Sequence, residues 1–159
     1  PALDRLTTQA AVDASLGRQV AIFNYFTAAK ISPGKPVSYE DSLPSPWSSD
    51  VIPSRGSFEV TKVDDKAGTI TIHWQQGIDP VKGRDAAWKL VGTLGVRRSD
   101  GVGADGLPKG MLLKDEATVV LARATGLPLR IEHRRQVGLG GASSSNSWVF
   151  EKLPERAAR

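Results

Sequence analysis

The chain carries two histidines, His73 and His133, and no cysteine. Thiol catalysis, disulfide bonds and thiolate metal sites are therefore excluded for these residues. Neither histidine belongs to a His-x-His or Glu-x-x-His pair, so we expect no transition-metal site. His133 alternates with the apolar residues Leu129 and Ile131, which favours a hydrogen-bonded structural role over that of a general base. If the chain were an enzyme, His133 with a neighbouring carboxylate would be its reactive group.

Paired carboxylates are the second arrangement that could support acid–base chemistry. They occur at Asp64 and Asp65 and again at Asp115 and Glu116. Adjacent residues of a strand point to opposite faces of a sheet, so neither pair readily converges on one substrate atom. The sequence thus predicts no catalytic constellation and no cofactor.

A basic cluster near the end of the chain is the best candidate for contact with an anion. Arg130 and Arg134 would project from one face of a strand and suit a carboxylate, a phosphate or a lipid headgroup. The alternative, which we favour, is cross-strand pairing with Glu132 or Glu151 on a solvated face. The full cluster comprises Arg130, His133, Arg134, Arg135 and Lys152.

Two glycine-rich segments resemble binding motifs. Residues 100–107 approach the calcium-binding nonapeptide pattern, but that motif works only as stacked repeats and the chain has one copy. Residues 138–147 lack the lysine and the following helix of a phosphate-binding loop, and also the second glycine of a serine-nucleophile elbow. We therefore predict a plain turn at the first segment. The second, over 138–146, is predicted to be a mobile hairpin loop that could lie at the mouth of a cavity.

Alternation of apolar and polar residues predicts most of the strands. Residues 58–75 should form a hairpin around a turn at 64–68, with Ile70, Ile72 and Trp74 inward. Residues 116–153 should form two or three strands joined by turns. In the strand over 127–137, the covered face would consist of Leu127, Leu129, Ile131 and Val137, and the solvated face of Arg130, Glu132, Arg134 and Gln136.

Helical spacing predicts two helices. The first covers 3–16, and the second begins after Asp79 as its N-cap and ends near Gly95, with Ala86, Leu90, Val91 and Leu94 along one side. Residues 20–26 fit either a strand or a helix, and we favour a strand. The five prolines in 32–57 predict a long irregular connection in which only 37–39 are extended.

Length and composition set the fold class. A chain of 159 residues with 40% hydrophobic residues predicts a single globular domain, with 154–159 as a frayed tail. Ten prolines and sixteen glycines favour an α+β fold in which a curved, mainly antiparallel sheet of about six to eight strands packs on one or two helices. The net charge of +4 comes from interspersed charges, so we expect no nucleic-acid partner. No apolar run approaches the ~18–20 residues of a membrane span, so we expect no transmembrane segment.

Two parts of the chain together carry a resemblance. They are residues 34–47, rich in proline and serine, and the strand–turn–strand of 119–130 with its closing residues Trp148 to Phe150. They resemble uncharacterised exported bacterial proteins whose antiparallel sheet curls around a helix like the half-barrel of lipoprotein carriers. The chain departs from that pattern at Arg123 and Ala124, where an aspartate is usual. The resemblance implies the sheet-and-helix architecture and assigns no functional residue.

These observations predict a non-enzymatic, exported domain that binds a hydrophobic or amphiphilic molecule in the concavity of its sheet. The tryptophans come from four separate elements; most should pack in the core and one or two could line the pocket. The lining would consist of Ile72, Trp74, Leu129, Ile131, Trp148 and Phe150, with Arg130 or Arg134 near the rim.

Two alternatives remain open. The chain could be a structural or envelope interaction module that binds through an exposed sheet edge or through the proline-rich segment 32–53, or it could be an enzyme. The cysteine-free, turn-rich composition and the absence of an initiator Met at Pro1 lead us to expect a periplasmic or secreted location.

Overall fold

The computed structural model describes residues 32–46 and 48–152. The predictions for residues 3–16, 20–26, Trp47 and 154–159 lie outside these ranges. The described residues form an α-helix, α1 (Arg84–Thr93), and a short 3-10 helix (Arg98–Asp100). Their strands are β1 (Val37–Pro44), β2 (Val51–Asp64), β3 (Thr69–Ile78), β4 (Leu112–Ala122), β5 (Pro128–Leu139) and β6 (Ala142–Glu151).

The six strands form one antiparallel sheet in which each strand pairs with the next along the chain. Within the described residues β1 and β6 are not paired with each other, so the sheet does not close. The predicted combination of a dominant antiparallel sheet with a small helical part is therefore confirmed. The prediction of a single domain for 1–159 stays a prediction, because residues 1–31 lie outside the described ranges.

The β2–β3 hairpin has the predicted turn, and its register shifts once, between Val60 and Lys62. Gly68 adopts a positive φ of 64°, and the Asp64 carboxylate accepts the N–H of Ala67 at 2.9 Å. That hydrogen bond, together with the Lys62 ammonium, lowers the pKa of Asp64. Ile72 and Trp74 are buried while the intervening His73 is exposed, so the period-two pattern identified the covered face correctly.

The predicted irregular connection over 32–57 is wrong. Its residues form all of β1 and the first half of β2, which pair from Val37 opposite Phe58 to Pro44 opposite Val51. Pro44 is the last residue of β1, so its missing N–H does not remove a hydrogen bond from the middle of the ladder. Pro53 lies within β2, and its carbonyl accepts the N–H of Asp79. The proline count favoured a loop, but pairing with neighbouring strands incorporates this segment into the sheet.

The predicted mobile loop over 138–146 is also wrong. The turn between β5 and β6 consists of Gly140 and Gly141 alone, both at positive φ, as a two-residue hairpin turn requires. The following serines pair with β5, for example Ser144 opposite Val137. Serine and asparagine have low strand propensity, so the partner strand decides their conformation.

One residue assigned to the covered face lies elsewhere. Leu127 is 61% exposed because it precedes the start of β5 at Pro128 and lies in the turn that follows β4. The β4–β5 register also shifts between Val120 and Leu121. From Leu129 onward the alternation holds, with Ile131 buried and Arg130 and Glu132 exposed.

Helix α1 packs on one end of the sheet through a cluster centred on Leu90. Leu90 is 2% exposed and contacts the buried residues Leu43, Ile52 and Leu113 from β1, β2 and β4. The helix ends as predicted, since Gly95 has φ 84° and Val96 donates its N–H to the Val91 carbonyl. The partly buried residues around this cluster are Ile78, Ala86, Met111 and Val137.

The predicted N-cap of α1 is wrong in position. Asp79 precedes a separate turn, and α1 begins at Arg84 after Gly83. The Asp79 carboxylate accepts the N–H groups of Val81 at 2.8 Å and Lys82 at 2.9 Å, so it caps that turn instead. Leu94, expected on the buried side of the helix, is 47% exposed because it lies beyond the last helical residue.

Candidate functional site

The strand register divides the inner face of the sheet, defined as the face that contacts α1, into apolar and polar rows. One apolar row crosses β2 to β6 as Phe58, Trp74, Ala117, His133 and Trp148. The next crosses the same strands as Val60, Ile72, Val119, Ile131 and Phe150. On the other side of the first row lies a polar row of Tyr39, Gly56, Gln76, Asp115, Arg135 and Asn146.

Exposure of the apolar rows increases toward β6. Val119 and Ile131 are 0% and 4% exposed, whereas Phe150 is 46% exposed and Trp148 is half-buried. The Trp148 ring stacks on His133 with centroids 5.2 Å apart. We call the set Leu129, Ile131, His133, Trp148 and Phe150 the aromatic corner, since it presents apolar and aromatic surface at the β5–β6 end of the inner face.

A buried ionic cluster lies directly beside the aromatic corner. The Asp115 side chain is 3% exposed, and its two carboxylate oxygens lie 3.2 Å from His133 Nε2 and 3.7 Å from Arg135 Nη1. Arg135 also donates to the Pro44 carbonyl at 3.1 Å. A carboxylate removed from water requires such partners, so the cluster joins β4, β5 and the end of β1.

Tyr39 and Gly56 extend the polar row toward β1. A Cβ atom on Gly56 would overlap the Tyr39 ring, so the glycine leaves the space that this ring occupies. The Tyr39 hydroxyl accepts a hydrogen bond from the indole N–H of Trp74. Gln76, opposite Gly56 on β3, donates to Ser54 Oγ at 2.7 Å. These polar side chains are thereby bonded to neighbours within the sheet.

The outer face of the sheet holds the arginines that were predicted to bind anions. Arg130 lies 2.6 Å from Glu132 and 3.7 Å from Glu151, and Arg134 donates to Ser145 Oγ at 2.9 Å. The cross-strand pairing that we favoured is therefore confirmed for Arg130 with Glu151 of β6, whereas Glu132 lies on the same strand as Arg130. Arg135 belongs to the other face, where it pairs with Asp115.

A shallow depression of about 360 Å³ lies on the same outer face. Glu116 contributes to it, and the hydrogen bond from the Lys114 ammonium holds the pKa of that carboxyl below its usual value. The charged groups here are largely engaged with one another, which is typical of a solvated sheet face. The depression is lined by polar and apolar residues together: His73, Glu116, Ala117, Thr118, Glu132, His133, Arg134, Ser147, Trp148 and Val149.

The segment over 100–107 folds as the predicted turn. Asp100 accepts the N–H of Arg97 at 2.7 Å, and Asp105 accepts the N–H of Leu107 at 3.1 Å. Both carboxylates thus serve backbone groups of the loop. Among residues 32–46 and 48–152, no three His, Asp or Glu side chains are grouped so that they could hold a metal ion.

The predicted lining residues fall into three groups. Ile72, Trp74 and Ile131 are buried in the inner face, while Leu129, Trp148 and Phe150 form its more accessible end. Arg130 and Arg134 lie on the opposite face. Whether any of them binds a ligand stays a prediction.

Sequence reasoning missed Asp115 and Arg135 as partners. The signal that could have found them is their position two residues along the strand from inward-facing residues, which places them on the same covered face. A charged residue at such a position needs a counter-charge.

Over residues 32–46 and 48–152 the fold and the site define a class: an open, six-stranded antiparallel sheet with a small helical part and an aromatic, partly charged inner face. Comparisons with protein family models, curated proteins and solved structures found no match. No helix in the described part of the chain is long and apolar enough to cross a membrane.

Proposed function

We propose that this chain is a non-enzymatic domain that binds a hydrophobic or amphiphilic ligand on the inner, concave face of a curved, half-barrel-like sheet. The observation that carries the proposal is the exposure of Phe150 at 46%, beside the half-buried Trp148, on the face whose neighbouring residues are buried. Clustered aromatic surface that a monomer leaves in water often marks a binding site. An exported setting belongs to the same proposal.

The position of the charged residues supports an amphiphile over a purely apolar molecule. Arg135, with a side chain 17% exposed, lies one register row from Trp148 on the same face. An apolar body on Trp148 and Phe150 would therefore place an attached anionic group within reach of the guanidinium. An ionised headgroup is bound well by arginine because the hydrogen bonds are charge-assisted.

Titration with 8-anilinonaphthalene-1-sulfonate, an aromatic anion, tests the proposal. We expect saturable binding by the folded protein, competition by palmitate, and affinity at least about tenfold lower for Phe150→Ala, a loss of about 1.4 kcal/mol. Val149→Ala is the matched control, because Val149 lies on the outer face of the same strand and is 59% exposed. Absence of binding, or equal losses in the two variants, would refute the aromatic corner as the site.

The second candidate function is an interaction module that uses a sheet edge. The observation that favours it is β6, which has one described neighbour, β5, and whose residues are all exposed except Trp148. A long edge strand offers unpaired backbone groups to another extended chain.

A further inference from the structure

We propose that β6 pairs antiparallel with β6 of a second copy of this chain, across a two-fold axis at Asn146. This inference deepens the second candidate function by naming the partner. It differs from ligand binding at the aromatic corner because it uses the outward backbone groups of β6, although Trp148 and Phe150 belong to both surfaces.

The backbone of β6 has one set of groups directed away from β5. Lys152, which follows β6, donates its N–H to the Leu129 carbonyl of the β5 strand. Because N–H and C=O groups alternate in direction along a strand, the odd-numbered residues of β6 direct theirs to the other side. These residues are Ser143, Ser145, Ser147, Val149 and Glu151, and the described residues provide no strand on that side.

The two edge strands of the described sheet differ in the residues that discourage pairing with a further strand. β1 carries Glu40, Asp41 and Pro44, and edge charges and prolines oppose the addition of another strand. β6 has no charge and no proline from Ala142 to Phe150. A copy of the same strand therefore meets no like-charge contact over these residues.

Self-pairing centred on Asn146 also matches side-chain sizes. It sets Trp148 opposite Ser144 of the second copy and Phe150 opposite Ala142, with both pairs on the inner face. On the outer face it sets Val149 opposite Ser143 and Ser147 opposite Ser145. Every large side chain thus lies against a small one, and the two Asn146 amides meet at the axis, where they can hydrogen-bond to each other. The two sheets become continuous, and each Trp148 gains a cross-strand neighbour.

A charge pair placed at positions 143 and 149 tests this register. In the double variant S143K/V149K, the proposed pairing brings lysines together twice, whereas S143E/V149K brings a glutamate against a lysine twice. Within one chain the two positions are six residues apart on β6, and Ser143 lies opposite Gly138 while Val149 lies opposite Glu132. The two variants therefore differ mainly across the proposed interface.

Sedimentation equilibrium over a range of protein concentrations gives the readout. We expect a reversible dimer for the wild-type chain, at least a tenfold weaker dimer for S143K/V149K, and a dimer for S143E/V149K that is as tight as the wild type or tighter. S38K on β1 should dimerise like the wild type. A wild-type chain that stays monomeric at all concentrations would overturn the proposal and leave a different extended partner for the edge. A dimer that S143K/V149K does not weaken would overturn it as well.

Discussion

The imidazole of His133 stacks on the indole of Trp148, with ring centroids 5.2 Å apart and planes inclined by 27°, while its Nε2 lies 3.2 Å from the buried Asp115. One side chain thus connects the exposed aromatic edge of the sheet to its buried ionic cluster. This arrangement explains how a histidine on an inward-facing strand position is accommodated, because one ring face is covered by carbon and one nitrogen faces a carboxylate.

Removal of Arg135 should destabilise the fold strongly. Arg135→Ala leaves the carboxylate of Asp115 buried without its guanidinium partner, and losing a partner of a buried ion pair costs about 3–5 kcal/mol. Urea unfolding measures the change. The double variant D115L/R135M, which replaces both charges by apolar side chains, should recover most of the loss. Our account of the cluster fails if Arg135→Ala unfolds at the wild-type urea midpoint.

Gly56 should not tolerate a methyl group. In Gly56→Ala the new Cβ would overlap the Tyr39 ring, so we expect a loss of about 1–3 kcal/mol from overpacking. Gly77→Ala is the matched control on β3, since its Cβ would meet the Leu113 carbonyl at an ordinary 3.6 Å. Thermal unfolding of the two variants provides the comparison, and similar melting temperatures would contradict the predicted clash.

Two other glycines with open surroundings should respond in opposite directions to alanine. Gly126 has φ 69° and Gly92 lies in α1, and a methyl group added to either would meet no neighbouring side chain within 4 Å. Gly126→Ala should cost about 1–2 kcal/mol because an L-residue is strained at positive φ. Gly92→Ala should stabilise by about 0.4–1 kcal/mol because it restricts the unfolded chain. Chemical denaturation measures the free energy of unfolding of both variants. A change in the same direction for both would show that steric space and not φ governs these positions.

Asp79 should make stability depend on pH in the acid range. The N–H groups of Lys82 and Val81 outweigh the effect of burial and hold the pKa of Asp79 below its ordinary 3.8. The folded-state pKa is lower than the unfolded one, so this stabilisation is complete above about pH 5 and is lost as the pH falls through the folded value. We expect Asp79→Asn to reduce the fall in unfolding free energy between about pH 5 and pH 2.

The control for Asp79 is Asp85→Asn. The Asp85 side chain is 94% exposed, so Asp85→Asn removes one acidic group without removing a cap. Unfolding curves recorded at several pH values compare the two variants with the wild type. An unchanged slope in Asp79→Asn would mean that the capped turn contributes nothing to acid sensitivity.

Local patterns were enough to predict the β2–β3 hairpin, the end of α1 at Gly95 and most of the covered face of β5. In each case the deciding interaction is short in sequence: a glycine at positive φ, or an alternation that the strand itself displays. The same reasoning placed Asp115 and Glu116 on opposite faces, and their burial confirms it. It also predicted that Arg130 would pair across strands.

The sequence by itself determined the class of structure, because a period of two and well-placed glycines specify antiparallel strands without reference to distant residues. Only the tertiary structure decided that residues 40–44, within the proline-rich segment 32–53, and the serine-rich residues 142–146 are strands, since their conformation depends on neighbours that supply the hydrogen bonds. It also brought Asp115, His133 and Arg135 together, because register is a property of paired strands and not of either strand alone. The aromatic corner has the same origin: Trp148 and Phe150 are exposed because β6 is an edge strand of the described sheet.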